Sequence, residues 1–169
     1  YNGKLYLPVL QRNEITHGRG KPNNPSFLLC MDPADGKTLW KHHRPSDAQK
    51  ESLESFGTVI PYEGAGRKEL IIAGGDVLTG HDPATGKELW RWGTWNPDKI
   101  GHWRLVPSPV AGNGIALACA PKGAPVYAVK LGGTGKLDDS HIAWKSTNRN
   151  VSSDVPTPLF YRGHFYVAN

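Results

Sequence analysis

The 169-residue sequence lacks long apolar segments, is poor in cysteine and has no block of like charge. None of its apolar runs approaches the roughly 20 residues that a membrane-spanning helix needs, so we expect no transmembrane segment. Lys and Arg together number 20 against 15 Asp and Glu, a net charge of +5. These basic residues are scattered along the chain rather than clustered, so the charge pattern does not favour nucleic-acid binding.

The two cysteines, Cys30 and Cys119, both lie among apolar or small neighbours. Buried free thiols are therefore the favoured interpretation over a disulfide. The chain begins at Tyr1 rather than Met, so the sequence leaves open whether a targeting segment has been removed.

The sequence also lacks the short motifs of common catalytic and metal sites. The zinc-protease, haem-attachment, phosphate-loop and nucleophile-elbow patterns are all missing. Of seven histidines, only His42 and His43 are adjacent. Neighbouring residues in a strand point to opposite faces, which suits chelation poorly. The sequence therefore predicts no metal site and identifies no catalytic residue.

A repeated segment is the dominant feature of the sequence. The run from Asp32 to Trp40 returns from Asp82 to Trp90, and an altered third copy contains Gly135 and ends at Trp144. The spacings between the three tryptophans are 50 and 54 residues. A second column, Thr58, Ser108 and Thr157, has spacings of 50 and 49. A period near 50 built from short β-type runs predicts the four-stranded antiparallel blades of a β-propeller.

The second copy defines one predicted blade, with strands at 58–62, 67–73, 77–81 and 87–92. The turn between the last two strands contains Asp82 and Thr85, whose side-chain oxygens can accept backbone N–H groups. Gly86 supplies the positive φ such a turn needs. The terminal tryptophans are predicted to pack between blades, against the small residue that opens each copy. The structural repeat positions are thus Asp32, Gly36, Trp40, Asp82, Gly86, Trp90, Gly135 and Trp144.

The chain is expected to be one partial propeller domain over residues 1–169, with blade segments near 1–45, 56–95, 104–146 and 155–169. The phrase at Tyr161 to Val167 resembles that at Tyr1 to Leu7, so the chain spans about three periods. Propellers close with about four to eight blades, so we expect a piece of a larger propeller of seven or eight. In the third copy, extra residues from Leu137 to His141 predict a looser turn.

Two kinds of loop are candidates for binding. The segment from Gln11 to Pro25 is a predicted protruding insertion, equally compatible with a functional loop and with passive decoration. The long connections between blades should rim the central funnel on one face of the propeller. Their most chemically rich side chains, also compatible with plain solvated loops, are His102, Trp103, Arg104, Arg149, Asn150 and Asp154.

The run Asp-Pro-Ala-(Asp/Thr)-Gly-Lys-x-Leu-Trp, at Asp32 to Trp40 and Asp82 to Trp90, resembles the repeat of the PQQ-like β-propellers. That family includes quinoprotein dehydrogenases, whose propellers hold pyrroloquinoline quinone and calcium. It also includes non-catalytic relatives similar to the outer-membrane assembly lipoprotein BamB. The dehydrogenases carry a pair of adjacent, disulfide-linked cysteines beside the quinone, and Cys30 and Cys119 are not adjacent.

The resemblance implies a non-catalytic scaffold that binds a protein or small ligand at its funnel or loop face, in the periplasm or secreted. No cofactor is then expected. The alternative is a dehydrogenase of alcohols or sugars, dependent on pyrroloquinoline quinone and calcium, whose catalytic residues lie partly outside this chain. A third interpretation is carbohydrate binding through Trp95 and Trp103.

Overall fold

The computed structural model describes residues 1–64, 66–93, 95–148 and 150–169. Their secondary structure is almost entirely β, with two short 3-10 turns at Lys50–Leu53 and Asp139–His141. The strands are β1 Leu5–Val9, β2 Phe27–Met31, β3 Thr38–His43, β4 Ile60–Gly64, β5 Arg67–Gly74, β6 Val77–His81, β7 Glu88–Trp92, β8 Val110–Gly112, β9 Ile115–Cys119, β10 Val126–Lys130, β11 Gly135–Lys136, β12 Ile142–Lys145, β13 Leu159–Tyr161 and β14 His164–Tyr166.

These strands form four consecutive antiparallel blades. Blade 1 has the order β1-β2-β3, blade 2 contains β7-β6-β5-β4, blade 3 is β12-β10-β9-β8 and blade 4 is β13-β14. The first strands of successive blades contact one another, β4 with β8 and β8 with β13. The blades are therefore arranged side by side in the same orientation, as the repeat predicts for a propeller.

Side-chain alternation explains how each blade packs on two neighbours. Leu70 and Ile72 of β5 pack with Leu28 of blade 1, whereas Ile71 and Ala73 pack in a cluster with residues of blade 3. Successive residues of a strand point to opposite faces, so one strand serves two interfaces. A third cluster joins blades 3 and 4 through Leu117, Cys119, Val126, Ala128 and the partly buried Phe165.

The repeated turn has the hydrogen bonds that its sequence predicts. Asp82 Oδ1 accepts the backbone N–H groups of Ala84 and Thr85 at 2.6 and 3.1 Å, and Thr85 Oγ1 accepts that of Lys87 at 3.2 Å. Gly86 has φ = 76°. Its backbone N–H donates to the carbonyl oxygen of Asp82 at 2.8 Å. The turn therefore sets the register between β6 and β7.

The blade 1 copy of this turn is built in the same way. Asp32 Oδ1 accepts the Ala34 N–H at 2.9 Å, and Asp35 replaces the threonine as the acceptor for Lys37. Gly36 has φ = 74°. Asp and Thr are thus interchangeable at the fourth position of the turn because either side chain offers an oxygen to the same N–H group.

The tryptophans differ in their surroundings. Trp40 extends from blade 1 onto the blade 2 turn, where a Cβ at Gly86 would lie 2.5 Å from its ring. Trp90 is 1% exposed, stacks over Gly80 and donates its indole N–H to the buried carboxylate of Glu69. Trp144 is 42% exposed, so its interblade packing stays a prediction.

Two details of the sequence interpretation are corrected. Blade 2 begins at Ile60 rather than residue 58, because the Thr58 N–H is used by a neighbouring loop instead of by β5. The altered third copy has a longer connection between its last two strands than the other copies, and this connection contains a strand that the sequence did not predict. Its residues Gly135–Lys136 form β11, which pairs in parallel with β7 and becomes a fifth strand of the blade 2 sheet.

Candidate functional site

Most of the long loops lie on one side of the blades, which we call the loop face. It comprises the described residues of the connections 44–59, 93–109 and 146–158, the insertion 10–26, and the turns 75–76 and 120–125. In blades 2 and 3 these segments join the second strand to the third and the fourth strand to the next blade. In blade 1 they join β1 to β2 and β3 to blade 2. The chain thereby gathers its most irregular segments at one end of the β-sheets.

Backbone hydrogen bonds join the first two connections. Phe56 N–H donates to the Leu105 carbonyl at 3.0 Å, Leu105 N–H donates to the Glu54 carbonyl at 3.3 Å, and Glu51 N–H donates to the Gly101 carbonyl at 2.9 Å. Buried Ser52 adds its hydroxyl, which accepts the Trp103 N–H at 2.8 Å and donates to the Ile100 carbonyl at 2.5 Å. These two loops are a packed layer rather than independent solvated segments.

The second repeat column is a hydrogen-bonded ladder between blades. Ser108 Oγ accepts the Thr58 N–H at 2.8 Å, and Thr157 Oγ1 accepts the Ser108 N–H at 3.0 Å. Each hydroxyl therefore ties the preceding blade to its own, at the residues that lead into the innermost strands. The sequence showed the column, but not this bonding.

An ion-pair chain links the insertion to both connections. Arg12 is 2% exposed and bonds Glu54 with two guanidinium nitrogens, at 2.7 and 3.1 Å. Arg12 also lies 3.3 Å from Glu51, whose other oxygen is 2.6 Å from Arg104. The insertion is therefore anchored at its base by a buried arginine. Beyond this anchor, residues 13–15 and 17–23 of the insertion are exposed.

The predicted residues His102, Trp103 and Arg104 do not form one site. His102 is exposed and lines a small hollow of about 190 Å³ with Lys50 and Glu51, while Arg104 is held by Glu51. Trp103 is half-buried and lines a separate hollow of about 380 Å³ with residues 122–125 and 146–148. Alternation along the extended chain separates the tryptophan from its two neighbours.

Two predicted residues of the third connection, Asn150 and Asp154, lie beside the Trp103 hollow. Asp154 Oδ1 accepts the Lys122 N–H at 2.9 Å, and the Asn150 N–H donates to Asn148 Oδ1 at 2.9 Å. Arg149 lies outside the described residues. Asp154 and Asn148 thus support the loops around this hollow, and Trp103 is its aromatic wall.

The carbohydrate interpretation loses one of its two aromatic residues. Trp95 is 4% exposed and packs against Trp92, with 5.6 Å between ring centroids. A ring buried in the core between blades 2 and 3 cannot stack on a sugar. Its sequence neighbours, Thr94 and Asn96, gave no signal of this burial.

A buried polar chain around Arg44 was not predicted from the sequence. Arg44 is 1% exposed, and its guanidinium donates to Thr79 Oγ1 at 2.9 Å and to the carbonyls of Gly74 and Val77 at 2.8 Å. Burial lowers the pKa of Arg44 to about 9. The side chain crosses from the end of β3 into blade 2, so it joins the two blades.

His81 continues this polar chain. Its Nδ1 lies 2.9 Å from the Gly86 carbonyl oxygen and its Nε2 lies 3.0 Å from Thr79 Oγ1. A carbonyl can only accept, so we assign the proton to Nδ1, and Nε2 then accepts from the Thr79 hydroxyl. Burial lowers the pKa of His81 to about 4, which keeps the ring neutral at physiological pH.

Asp76 is a second buried group without a sequence signal. It is 4% exposed, and its Oδ2 accepts from Asn96 Nδ2 at 2.8 Å. Its Oδ1 has no hydrogen-bond partner among the described residues. Burial raises the pKa of Asp76 to about 6. Asn96 also bonds Ile100, so the pair holds the second connection against the turn between β5 and β6.

Exposed apolar side chains stand two residues before the hydroxyl ladder. Phe56 is 65% exposed and Val155 is 61% exposed, and Val106, at the matching position between them, is partly buried. The three positions recur with the repeat, immediately beside the starts of the innermost strands. The loop face therefore carries a column of accessible apolar side chains on a hydrogen-bonded base.

Within residues 1–64, 66–93, 95–148 and 150–169, no group of three or more His, Cys, Asp or Glu side chains could hold a metal ion. No helix in this part of the chain is long and apolar enough to cross a membrane. Cys30 and Cys119 are both buried free thiols, as expected. Burial raises the pKa of Cys119 to about 12, so its reactive thiolate form is suppressed.

Comparison with solved structures agrees with the blade architecture. BamB from Moraxella catarrhalis superposes with a TM-score of 0.54 and 14% sequence identity, over 86% of this chain and 43% of the BamB chain. The chain has a propeller fold similar to that of BamB. It spans less than half of the length of that relative. No family profile matches the sequence. A search of curated proteins likewise finds no significant match.

Proposed function

We propose that this chain is part of a non-catalytic β-propeller that binds a protein partner through its loop face, in the bacterial cell envelope. The envelope location and the scaffold role rest on the BamB-like fold. The observation that carries the binding role is the apolar column of Phe56, Val106 and Val155. Accessible apolar side chains grouped on one face are typical of interaction surfaces.

The rigidity of the column's base supports the same proposal. Phe56 and Leu105 are joined by a backbone hydrogen bond, and Ser108 connects the same loops to the next blade. A surface that is already ordered loses little conformational entropy when it binds, which favours recognition. Glu51 and Arg104 place a charged rim beside the apolar side chains, and buried Arg12 holds Glu51 from below.

The experiment is capture of partners from an envelope extract with the intact protein and two serine variants. Phe56→Ser removes the largest exposed side chain of the column, and Leu39→Ser, at a residue 44% exposed on β3, is the matched control. We expect a captured protein to be retained by wild type and Leu39→Ser and to be at least about tenfold depleted with Phe56→Ser. Loss of the captured protein with Leu39→Ser instead would show that the partner binds at β3 of blade 1 and not at the apolar column.

The dehydrogenase alternative is tested on the same protein. Under the scaffold proposal the protein binds neither pyrroloquinoline quinone nor calcium. Adding both should therefore leave the melting temperature and the visible absorbance of the desalted protein unchanged. A ligand that binds only the native state raises the melting temperature. A raised melting temperature with protein-bound quinone absorbance would replace the scaffold proposal with the quinoprotein one.

A further inference from the structure

Three cationic side chains from separate elements converge on a hollow of about 350 Å³ at the end of β7. Arg91 comes from β7, Lys99 from the second connection and Lys136 from β11. Asp47 is the acidic residue among the lining side chains. This hollow is distinct from the Trp103 hollow and from the apolar column.

The cations are held to different extents. Arg91 bonds both oxygens of Glu88, at 2.6 and 2.7 Å, and also donates to the Pro45 carbonyl at 3.1 Å. Lys99 Nζ lies 2.7 Å from Asp47 Oδ2. Lys136 is exposed and makes no hydrogen bond or ion pair with its side chain among the described residues. It is therefore the cation with unused donors.

The local charge is positive after these pairs are counted. Buried Arg44 contributes a fourth cation behind the wall, because its guanidinium donates to the carbonyl of Val77, which lines the hollow. Four cations thus face two carboxylates, those of Glu88 and Asp47. When Asp76 is also ionised the carboxylates number three, and the net charge is still positive. Because Arg44 is bonded to a hydroxyl and to carbonyls, its charge is not cancelled by direct contact with a carboxylate.

Lys136 reaches the hollow because the third copy of the repeat is longer than the other two. Lys37 and Lys87 hold the same position in the turns of blades 1 and 2, where they are exposed. In blade 3 the longer segment pairs Gly135 with Trp90 and Lys136 with Arg91. Leu137 secures this pairing, since its N–H donates to the Arg91 carbonyl at 2.8 Å and its side chain is 5% exposed.

We propose that this hollow binds a small ligand through a phosphate or carboxylate group, held by Lys136 with Arg91 and Lys99. Its size lies within the range of small-molecule sites, roughly 300–1,000 Å³. Hydrogen bonds from charged donors to an oxyanion are stronger than neutral ones, and Lys136 has its donors free. Arg91, fixed by Glu88, presents its charge without needing to be ordered by the ligand. The inference is independent of the proposed scaffold function.

The test is a titration of the intact protein with sodium phosphate at pH 7.5 and constant ionic strength, followed by amide NMR. The amides of Gly93, which lines the hollow, and of Gly135, which precedes Lys136 in β11, are the reporters. We expect saturable shifts in the wild type and about tenfold weaker binding in Lys136→Gln, because one charged contact is lost. Lys87→Gln removes the same charge at the equivalent position of blade 2 and should bind like the wild type.

A parallel titration with sodium succinate separates the two ligand sources. Saturation by phosphate alone assigns a phosphate site, and saturation by succinate alone assigns a carboxylate site. Shifts that do not saturate with either ion, or that weaken equally in Lys136→Gln and Lys87→Gln, would overturn the proposal. In that case the basic side chains serve only to stabilise β11 at the blade edge.

Discussion

At the scale of single residues, two glycines at one repeat position differ in what surrounds them. Gly36 and Gly86 have nearly the same φ, 74° and 76°. A Cβ at Gly36 would meet nothing within 4 Å, whereas one at Gly86 would lie 2.5 Å from the Trp40 ring and 2.9 Å from His42 Cβ. The sequence predicts the backbone conformation of both, but only the packing of blade 1 on blade 2 makes Gly86 irreplaceable for a second reason.

We therefore expect Gly86→Ala to destabilise the protein more than Gly36→Ala. Both variants incur the left-handed strain of a non-glycine residue, about 1–2 kcal/mol. Gly86→Ala adds an overlap with Trp40, for a further cost of about 1–3 kcal/mol. Urea unfolding of the two variants measures the difference directly. Equal losses would show that Trp40 moves away from the turn without cost.

At the scale of elements, the turns and the strands follow from the sequence, while the links between blades do not. The pattern of β-type runs and turn residues predicted all four strands of blade 2, with boundaries shifted by at most two residues. The β11 pairing was missed because Gly135–Lys136 bonds to a strand about 45 residues earlier, and short-range propensity carries no information about such a partner.

The hydroxyl ladder makes an element-scale prediction. Ser108→Ala removes the acceptor of the Thr58 N–H, and we expect a loss of about 1 kcal/mol in the free energy of unfolding. Ser108→Thr keeps a hydroxyl, as the ladder does at Thr157, and should retain wild-type stability. Hydrogen exchange of the Thr58 amide is the local readout, which should accelerate in Ser108→Ala alone. An unchanged exchange rate would mean that the Ser108 hydroxyl does not protect that amide.

At the scale of the whole molecule, two buried titratable groups have opposite effects on acid stability. Asp76 keeps its proton in the folded protein up to a pKa of about 6, above its ordinary 3.8, so its contribution to stability falls as pH rises from about 4 to 6. His81 binds its proton in the folded state only near a pKa of about 4, below its ordinary 6.5. Its contribution falls as pH drops from 6.5 to 4. The two changes of the free energy of unfolding with pH are opposite in sign and largely cancel.

Replacing Asp76 by Asn removes the pH dependence of stability that comes from Asp76 and leaves that of His81. Asn can still accept the Asn96 hydrogen bond and tolerates the positive φ of 58° at this position. We expect Asp76→Asn to be more stable than the wild type by about 2–3 kcal/mol at pH 7, with the advantage vanishing near pH 4. Urea unfolding at several pH values measures it, and Asp98→Asn controls for loss of an exposed carboxylate. An advantage that does not change with pH would contradict the role of ionisation.

The loop face shows the limit of the sequence at this larger scale. His102, Trp103 and Arg104 are neighbours in the chain, and the sequence named all three as candidates for binding at the funnel rim. The extended backbone instead turns Trp103 toward a different hollow from the one His102 lines. The apolar column of Phe56, Val106 and Val155 could have been found from the repeat spacing alone, because it stands two residues before the Thr58 column.

The sequence by itself determined the blade. A tandem repeat of short apolar strands and Asp–Gly turns contains the local information that strands, turns and register need, since each turn is bonded within its own six residues. Only the tertiary structure decided how the blades use their shared surfaces. The burial of Arg44 and Asp76, the ion pairs of Arg12, and the placement of Lys136 beside Arg91 depend on residues many positions apart. Such contacts depend on packing between blades, which no local pattern encodes.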